Sequence, residues 1–297
     1  MFAKRMAAIL CKGLPANNLG DGLYAWMHYL VNQGRLPGGK YSGRLNDYLY
    51  RLKVDGTLLD PMYQFVCDKE YAKYYIGAVV GRQLTLKTFR VLRNDDDVDS
   101  LRLDHFPCVV KPSHLSGQVQ FCYENDKSLD RDLMKGWLRK NLYRISRPQD
   151  YKYLTPKILV EEFFSEGGLS VPNDYKIFCF GGSPAFIQVD ADRFTCHTRN
   201  FYDTSWKRMP LTLMYPSREE DDPRPGQLER MLEIAARLSA PFPFIRVDLY
   251  ASSKAIKVGE LASIPESAGG RIEPPSGEYV LGRYAPGSDA NTRRAPA

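Results

Sequence analysis

The spacing of apolar residues changes character along this chain. Leu45, Tyr48, Leu49 and Leu52 recur at three- and four-residue steps, which predicts a helix from near Ser42 to about Val54. Leu23 to Val31 reads as an earlier helix, closed by Gly34 and Pro37-Gly38-Gly39. Asp68 is a natural N-cap for a third, which runs to Val80 and stops at Gly81. Asp130 to Asn141 reads as helical, with Leu133, Trp137 and Leu138 turned inward. Leu228 to Leu238 gathers Met231, Leu232, Ile234, Ala235 and Leu238 on one face. Elsewhere the runs are short or alternate, which predicts strands at Leu84–Leu92, Cys108–Lys111, Val119–Tyr123 and Lys157–Phe163. Further strands are expected at Asp174–Phe180, Pro184–Asp190, Phe244–Tyr250 and Ala255–Leu261. Gly181-Gly182 joins two of them as a hairpin turn. Hairpins outnumber crossovers in the second half, so the expected class is α+β with largely antiparallel sheets.

Composition narrows the partners. The 297 residues allow one large core or two modest ones. A net charge of +6, spread along the chain, suits an anionic small molecule such as a nucleotide or a sugar acid. No basic run with interleaved aromatics points to nucleic acid. Six scattered cysteines without a CxxC pair, and four unrelated histidines, give no metal-ligand spacing and read as reduced thiols. The apolar stretch near Met1 to Cys11 is too short for a signal peptide or a membrane span. The chain therefore reads as cytoplasmic, with N-terminal residues able to rest on the inner face of a membrane.

The candidate chemistry begins with two acids. Asp248 and Glu260 lie on neighbouring strand segments with Ala251-Ser252-Ser253-Lys254 as the turn between them. A hairpin can bring them together on one face, where paired carboxylates call for a cation or a shared proton. Mg²⁺ with a nucleotide is the natural hard cation for an all-oxygen site. Lys111 ends an upstream strand, and Pro112-Ser113-His114-Leu115-Ser116-Gly117-Gln118 follows as a loop of mostly small residues able to close over phosphates. It does not match the Walker pattern. Glu161-Glu162-Phe163-Phe164 ends a buried strand and can offer free backbone to an adenine edge. Lys176, Arg193 and Arg246 sit at or near strand positions suited to a phosphate clamp or an ion pair. Solvated strand-edge acids and an ordinary hairpin loop remain open readings of the same residues.

A resemblance then gathers these segments. Asp68-Lys69, Phe106-Pro107 through Lys111-Pro112-Ser113-His114, Val160-Glu161-Glu162-Phe163, Asp174-Tyr175-Lys176, Asp192-Arg193, Phe201-Tyr202-Asp203 with Trp206, Arg246-Val247-Asp248 and Gly259-Glu260-Leu261 follow one another in this order. The series resembles the ATP-grasp superfamily in its teichuronopeptide-biosynthesis (TupA-like) branch, over roughly Tyr41 to Tyr284. The resemblance implies two α+β lobes gripping MgATP between antiparallel sheets, and a ligase that activates a carboxylate as an acylphosphate for attack by an amine. It implies phosphate contacts from Lys69 and Lys111, a mobile loop over Ser113, Ser116 and Gly117, and adenine at Glu161, Glu162 and Phe163. Asp248 and Glu260 resemble the Mg²⁺ ligands; Lys111, Arg193 and Arg246 resemble catalytic cations, and Lys176 a cofactor contact. Ala262 stands where many relatives have Asn, two residues after the final Glu. Arg271, after Gly269-Gly270, is a candidate for binding the acceptor's carboxylate.

The implied layout is an N-terminal helical region at 1–60, a pre-grasp segment at 61–105, a small lobe at 106–165, a large lobe with the metal site at 166–285 and a disordered tail at 286–297. The branch points to cell-surface polysaccharide or polypeptide decoration, with an acidic sugar or glutamate-like carboxylate and an amino acid or other amine as substrates. Two other readings stay open at this level: a kinase that stops after phosphoryl transfer, and a non-catalytic nucleotide-binding assembly protein. Oligomeric state is not written in the sequence.

Overall fold

The computed structural model describes residues 13–165 and 171–287. The expected N-terminal membrane contact and nearly all of the expected disordered tail fall outside those residues. Among the described residues, no helix is long and apolar enough to cross a membrane.

Two antiparallel sheets carry the structure. The smaller is built from β1 (Thr88–Leu92), β2 (Cys108–Pro112), β3 (Gln120–Cys122) and β4 (Ile158–Glu162), in the order β1-β4-β2-β3. Its edge strand β1 comes from ahead of residue 106, so the small lobe draws on the segment expected to precede it. Cys108 and Val110 alternate toward one face with Ile158 and Val160, and Met134 and Trp137 of the helix Arg131–Leu138 cover them. That helix corrects the expected facing of Leu133, which is 38% exposed while Met134 is fully buried. The cause is the cap: the Asp130 side chain accepts from the Leu133 amide, which fixes the helix start and turns Met134 and Trp137 to the core. The expected strand at Leu84 also starts late, because a 3₁₀ turn at Arg82–Leu84 precedes β1.

The larger sheet takes β5 (Asp174–Phe180), β6 (Ser183–Ala191), β7 (Thr198–Asp203) and β8 (Arg208–Met209). After the short β9 (Thr212–Leu213), β10 (Phe244–Ala251) and β11 (Ile256–Ala262) complete the order β11-β10-β5-β6-β7-β8, while β12 (Ile272–Glu273) pairs with β9 alone. Gly181 and Gly182 adopt φ of 53° and 83°, the left-handed pair that a two-residue hairpin between β5 and β6 requires. One face is apolar throughout: Tyr175, Ile177, Ile187, Val189, Val247 and Leu249 pack under the helix Leu228–Ser239. Each fully buried aliphatic there contributes roughly 1.5–3 kcal/mol relative to exposure.

The other face is divided. At one end Phe178, Phe186, Phe201 and Phe244 meet Leu45, Tyr48, Leu49 and Leu52 of the helix Leu45–Val54. At the other end the same strand parity presents charged residues, Lys176, Asp190, Arg246 and Asp248 among them. Strand alternation thus builds a greasy half and a charged half on one face. The helices Asn18–Gln33 and Leu45–Val54 tie the ends together, with buried Asp21 accepting from Tyr143 of the small lobe at 2.9 Å. The short helices Pro61–Cys67 and Gly277–Gly282 were not marked by any apolar period in the sequence.

Candidate active site

Asp248 and Glu260 are direct partners across β10 and β11. A β-bulge makes them so. Leu249 pairs with Val258 and Asp248 with Glu260, which leaves Gly259 as the extra residue. A side chain at Gly259 would meet the Tyr250 ring at 2.8 Å, so the bulge needs glycine there. Without the extra residue the register would set Gly259 opposite Asp248. Asp248 also pairs with Lys176 on β5, so acid, acid and lysine lie in one row across three strands.

The charges of this face are closely paired. Lys176 is 5% exposed and donates to Asp174 at 3.0 Å and Asp248 at 3.2 Å, with Asp190 at 3.8 Å. Each of those three acids also holds its own arginine. Arg246 donates Nε and Nη2 to the two oxygens of Asp248, both at 2.7 Å, Arg193 pairs with Asp174, and Arg199 grips Asp190 at 2.6 and 3.1 Å. Burial alone would raise the Asp248 carboxyl, but Arg246 and Lys176 override it and hold it below the ordinary range. Glu260 is half-buried and forms no ion pair among the described residues. It is the acid with oxygens to spare.

The same balance predicts an acid-sensitive fold. Burial would raise Asp190, yet Arg199 and Lys176 hold it down from 3.8 to about 2. A carboxyl depressed in the folded state stabilises above its unfolded value, and that contribution is lost as pH falls through the folded value. Asp190 alone accounts for on the order of 2 kcal/mol, and Asp248 and Glu161 shift in the same direction. Denaturant midpoints should hold down to about pH 4 and then fall steeply toward pH 2. A flat profile across that window would count against the ion-paired face.

The small sheet closes the opposite side. Lys111 lies near the end of β2 and Lys69 opens the helix Lys69–Val79; both line a cavity of about 540 Å³ shared with the charged face. Ligand clefts of roughly 300–1,000 Å³ are usual for cofactor-sized molecules. Lys69 donates to the Leu115 carbonyl at 2.8 Å, which fastens the loop after β2 to the helix. Ser116 and Gly117 are exposed on that loop and line the cleft, with Gly117 at φ 73°. Phe163, Phe121 and Phe194 add apolar walls, with Phe121 and Phe194 meeting edge-on at 4.9 Å across the two sheets.

Three expected placements are corrected by this geometry. Ser113 is fully buried behind the loop, its amide bonded to the Lys157 carbonyl at 2.9 Å, and it does not line the cleft. Arg271 lies on the surface, donating to the Asn32 carbonyl at 3.0 Å, away from the cavity. Glu161 and Glu162 are not free strand-end backbone: β4 is flanked by β1 and β2, and both residues pair within the ladder. The Glu161 carboxylate is instead held between Lys73 at 2.6 Å and Lys111 at 2.7 Å. Lys69, Lys111, Ser116, Gly117, Glu161, Glu162, Phe163, Lys176, Arg193, Arg246, Asp248 and Glu260 all line the one cleft.

A family model described as TupA-like ATPgrasp matches residues 49–284, more than half of the chain. The chain belongs to the TupA-like ATP-grasp family. None of the curated proteins compared with it matches. Among solved structures it is similar to D-alanine–D-alanine ligase from Bacillus anthracis complexed with ATP, at 17% identity and a TM-score of 0.42, covering 68% of this chain and 56% of that one. D-alanine–D-alanine ligase from Helicobacter pylori gives 16% identity and a TM-score of 0.41, over 75% of this chain and 60% of that one. The ATP-grasp ligase PsnB complexed with minimal precursor gives 9% and 0.40, over 73% and 60%. The chain spans less than two thirds of the length of each of these ligases.

This ATP-grasp chain has the α+β architecture of largely antiparallel sheets that its sequence led one to expect. It also has residues in and beside the cleft that sequence reading missed. Lys73 was available as a signal, since it stands four residues after Lys69 on the same helix and shares its face. Arg199, His197, Asp190 and Glu266 reach the cleft from β6, β7 and the segment after β11, with no local motif to mark them. Lys157, 1% exposed, was missed as well: it bridges Asp68 at 2.9 Å and Glu70 at 2.6 Å, docking the Lys69 helix to the small sheet.

Proposed function

We propose that this ATP-grasp protein is an ATP-dependent carboxylate–amine ligase that forms an amide through an acylphosphate, in the decoration or synthesis of a cell-surface polysaccharide or polypeptide. The observation that carries this reading is the Asp248–Glu260 cross-strand pair, set in one cleft with Lys111 of the small sheet and Lys69 of the helix packed on the large one. Lys69, Lys111, Lys176, Arg193 and Arg246 all line that cleft, and positive groups on several of its walls suit a polyphosphate.

The donor set fits Mg²⁺. Among the described residues no three His, Cys, Asp or Glu gather as a closed metal site. Two protein carboxylates with the remaining positions left to phosphate oxygens and water are the habit of Mg²⁺ rather than of zinc. Glu260, half-buried and without an ion-pair partner among the described residues, supplies the open donor, and Asp248 retains lone pairs beyond its arginine fork. When bound there, the ion would neutralise charge on the transferring phosphoryl group. ATP and Mg²⁺ are thus the cofactors of this reading.

The chain's own part is positioning and electrostatics. Lys111 approaches from the small sheet, Lys69 from the start of the helix Lys69–Val79 and Lys176 from the large sheet, to hold the phosphates in a cleft with apolar side chains among its walls. A substrate carboxylate oxygen attacks the γ-phosphorus as the bond to ADP breaks. The amine nitrogen then attacks the acyl carbon and phosphate leaves. Arg193 and Arg246, each held by an acid, are preorganised to face negative charge without moving.

A turnover screen tests the reading. ATP is supplied with uronic acids and glutamate-like acids, alone and paired with amino acids, and phosphate release is measured. Phosphate release that needs one acid plus one amine is expected. Phosphorylated product formed at full rate without any amine would identify a kinase instead, and no acid-dependent turnover would support a nucleotide-binding assembly role.

A further inference from the structure

The cleft continues past the metal-side acids. Beyond Glu260, β11 leads into Ala262 and Ser263, and the cavity reaches a wall formed by Lys53, Asp150, Tyr151 and Ser267. These residues arrive from the helix Leu45–Val54, the turn Gln149–Tyr151 and the segment after β11. Phosphoryl transfer as described above makes no use of them.

Asp150 stands out on that wall. It is 1% exposed, yet it borders the cavity. Its Oδ2 accepts from Cys67 Sγ at 2.9 Å and from Ser263 Oγ at 2.6 Å, whereas its buried Oδ1 has no hydrogen-bond partner. A buried acceptor left unpaired is costly and uncommon, and a carboxylate oxygen more so. Burial pushes the carboxyl above its ordinary range, opposed first by the Cys67 and Ser263 hydrogen bonds, then by its own amide and the charge of Lys53. Lys53 is 4% exposed and donates to Ser267 Oγ at 2.5 Å, so this end of the cleft holds a positive group as well as a negative one. The Ser263 contact of Asp150 ties it to the strand that carries Glu260. Ser263 follows Glu260 by three residues, and the neighbouring Tyr151 hydroxyl lies within the fields of Glu260 and Arg246.

We propose that Asp150 anchors the second substrate: its Oδ1 accepts a hydrogen bond from the ammonium of the incoming amine and holds that nitrogen on the Glu260–Arg246 side of the cleft; the nitrogen sheds one proton to water, keeps an N–H on Oδ1, and its lone pair attacks the acyl carbon as phosphate leaves. The inference rests on the ligase reading and adds to it the residue that receives the nucleophile. It also names the class. The substrate is a primary amine that is cationic at neutral pH and carries an anionic group for the Lys53–Ser267 side, as a free amino acid does. A neutral amide or a sugar hydroxyl offers Oδ1 no charge.

Asp150→Asn is the decisive variant. It keeps an oxygen for Cys67 and Ser263 and sets an amide N–H₂ where the ammonium would dock. It also removes a buried charge, so it should fold at least as stably as the parent. Loss of a charge-assisted hydrogen bond should raise KM for the amine about 10- to 100-fold. The assay supplies ATP with D-glucuronate or L-glutamate, and L-amino acids as amines. Hydroxylamine, uncharged at slightly alkaline pH, serves as a nucleophile that needs no anchor and traps the acylphosphate as a hydroxamate. The ratio of amino-acid-dependent to hydroxylamine-dependent turnover is expected to fall at least 10-fold. An unchanged ratio, whether both rates persist or both decline together, would overturn the anchor. If the wild-type chain forms neither hydroxamate nor an amine-dependent product with any acid, the ligase reading fails first and takes the anchor with it. Asp150→Ser, read by the same ratio, replaces the Asn variant should that one not fold.

Discussion

Glu260→Gln is expected to lower ATP turnover by about a thousandfold while leaving the melting temperature within a few degrees of the parent. The size follows from removing one preorganised charge at a phosphoryl-transfer centre, where single electrostatic contacts are worth roughly a hundred- to a thousandfold. The retained stability follows from the surroundings: Glu260 is half-buried and forms no ion pair among the described residues, so its neutral isostere leaves no partner stranded. Asp248→Asn should behave differently. Asp248 is 6% exposed and pairs with both Arg246 and Lys176; its removal leaves Arg246 without its carboxylate, while Lys176 keeps Asp174 and Asp190. Breaking such a pair costs about 3–5 kcal/mol, so this variant should lose stability and turnover together. Thermal melts beside ATP turnover over a range of Mg²⁺ concentrations separate the two cases. A Glu260→Gln protein with near-normal turnover and an unaltered Mg²⁺ requirement would remove Glu260 from the metal site.

The contrast between these two acids shows how far the sequence could be read. Alternation along Phe244–Tyr250 and Ala255–Leu261 was enough to place Asp248 and Glu260 on one hairpin, because strand parity is a local property. Their exact opposition was not legible, since it depends on the bulge at Gly259. The helix opened by Asp68 was legible for the same local reason: its side chain caps the Glu70 amide at 2.9 Å. Ser113 shows the limit. A loop of small residues after Lys111 suggested phosphate contact, but the Ser113 amide continues the pairing to Lys157 and carries its side chain inward. Asp150 lies further out of reach. Its partners Cys67 and Ser263 are 83 and 113 residues away, and nothing near it in the chain announces a cleft. Local rules gave elements and faces; contacts between distant segments gave the second half of the site.

Glu161→Gln is the other substitution expected to have a large effect, and here the effect is on the fold. Glu161 is 1% exposed, inside a strand flanked on both sides, and its carboxylate lies 2.6 Å from Lys73 and 2.7 Å from Lys111. Burial would raise its carboxyl, yet the two lysines hold it below the ordinary range, so the group is an anion in the folded protein. A neutral amide would leave two ammonium groups facing each other beside the small-lobe core. The cost should be about 3–5 kcal/mol, a fall in Tm of roughly 10 °C for a domain of this size. Turnover should fall too, because Lys111 loses the contact that aims it into the cleft. The double variant Lys73→Met, Glu161→Gln removes one of the stranded charges and should recover part of the lost stability. If the two substitutions instead add without interaction in thermal melts, Glu161 does not act as the shared counter-charge of the two lysines.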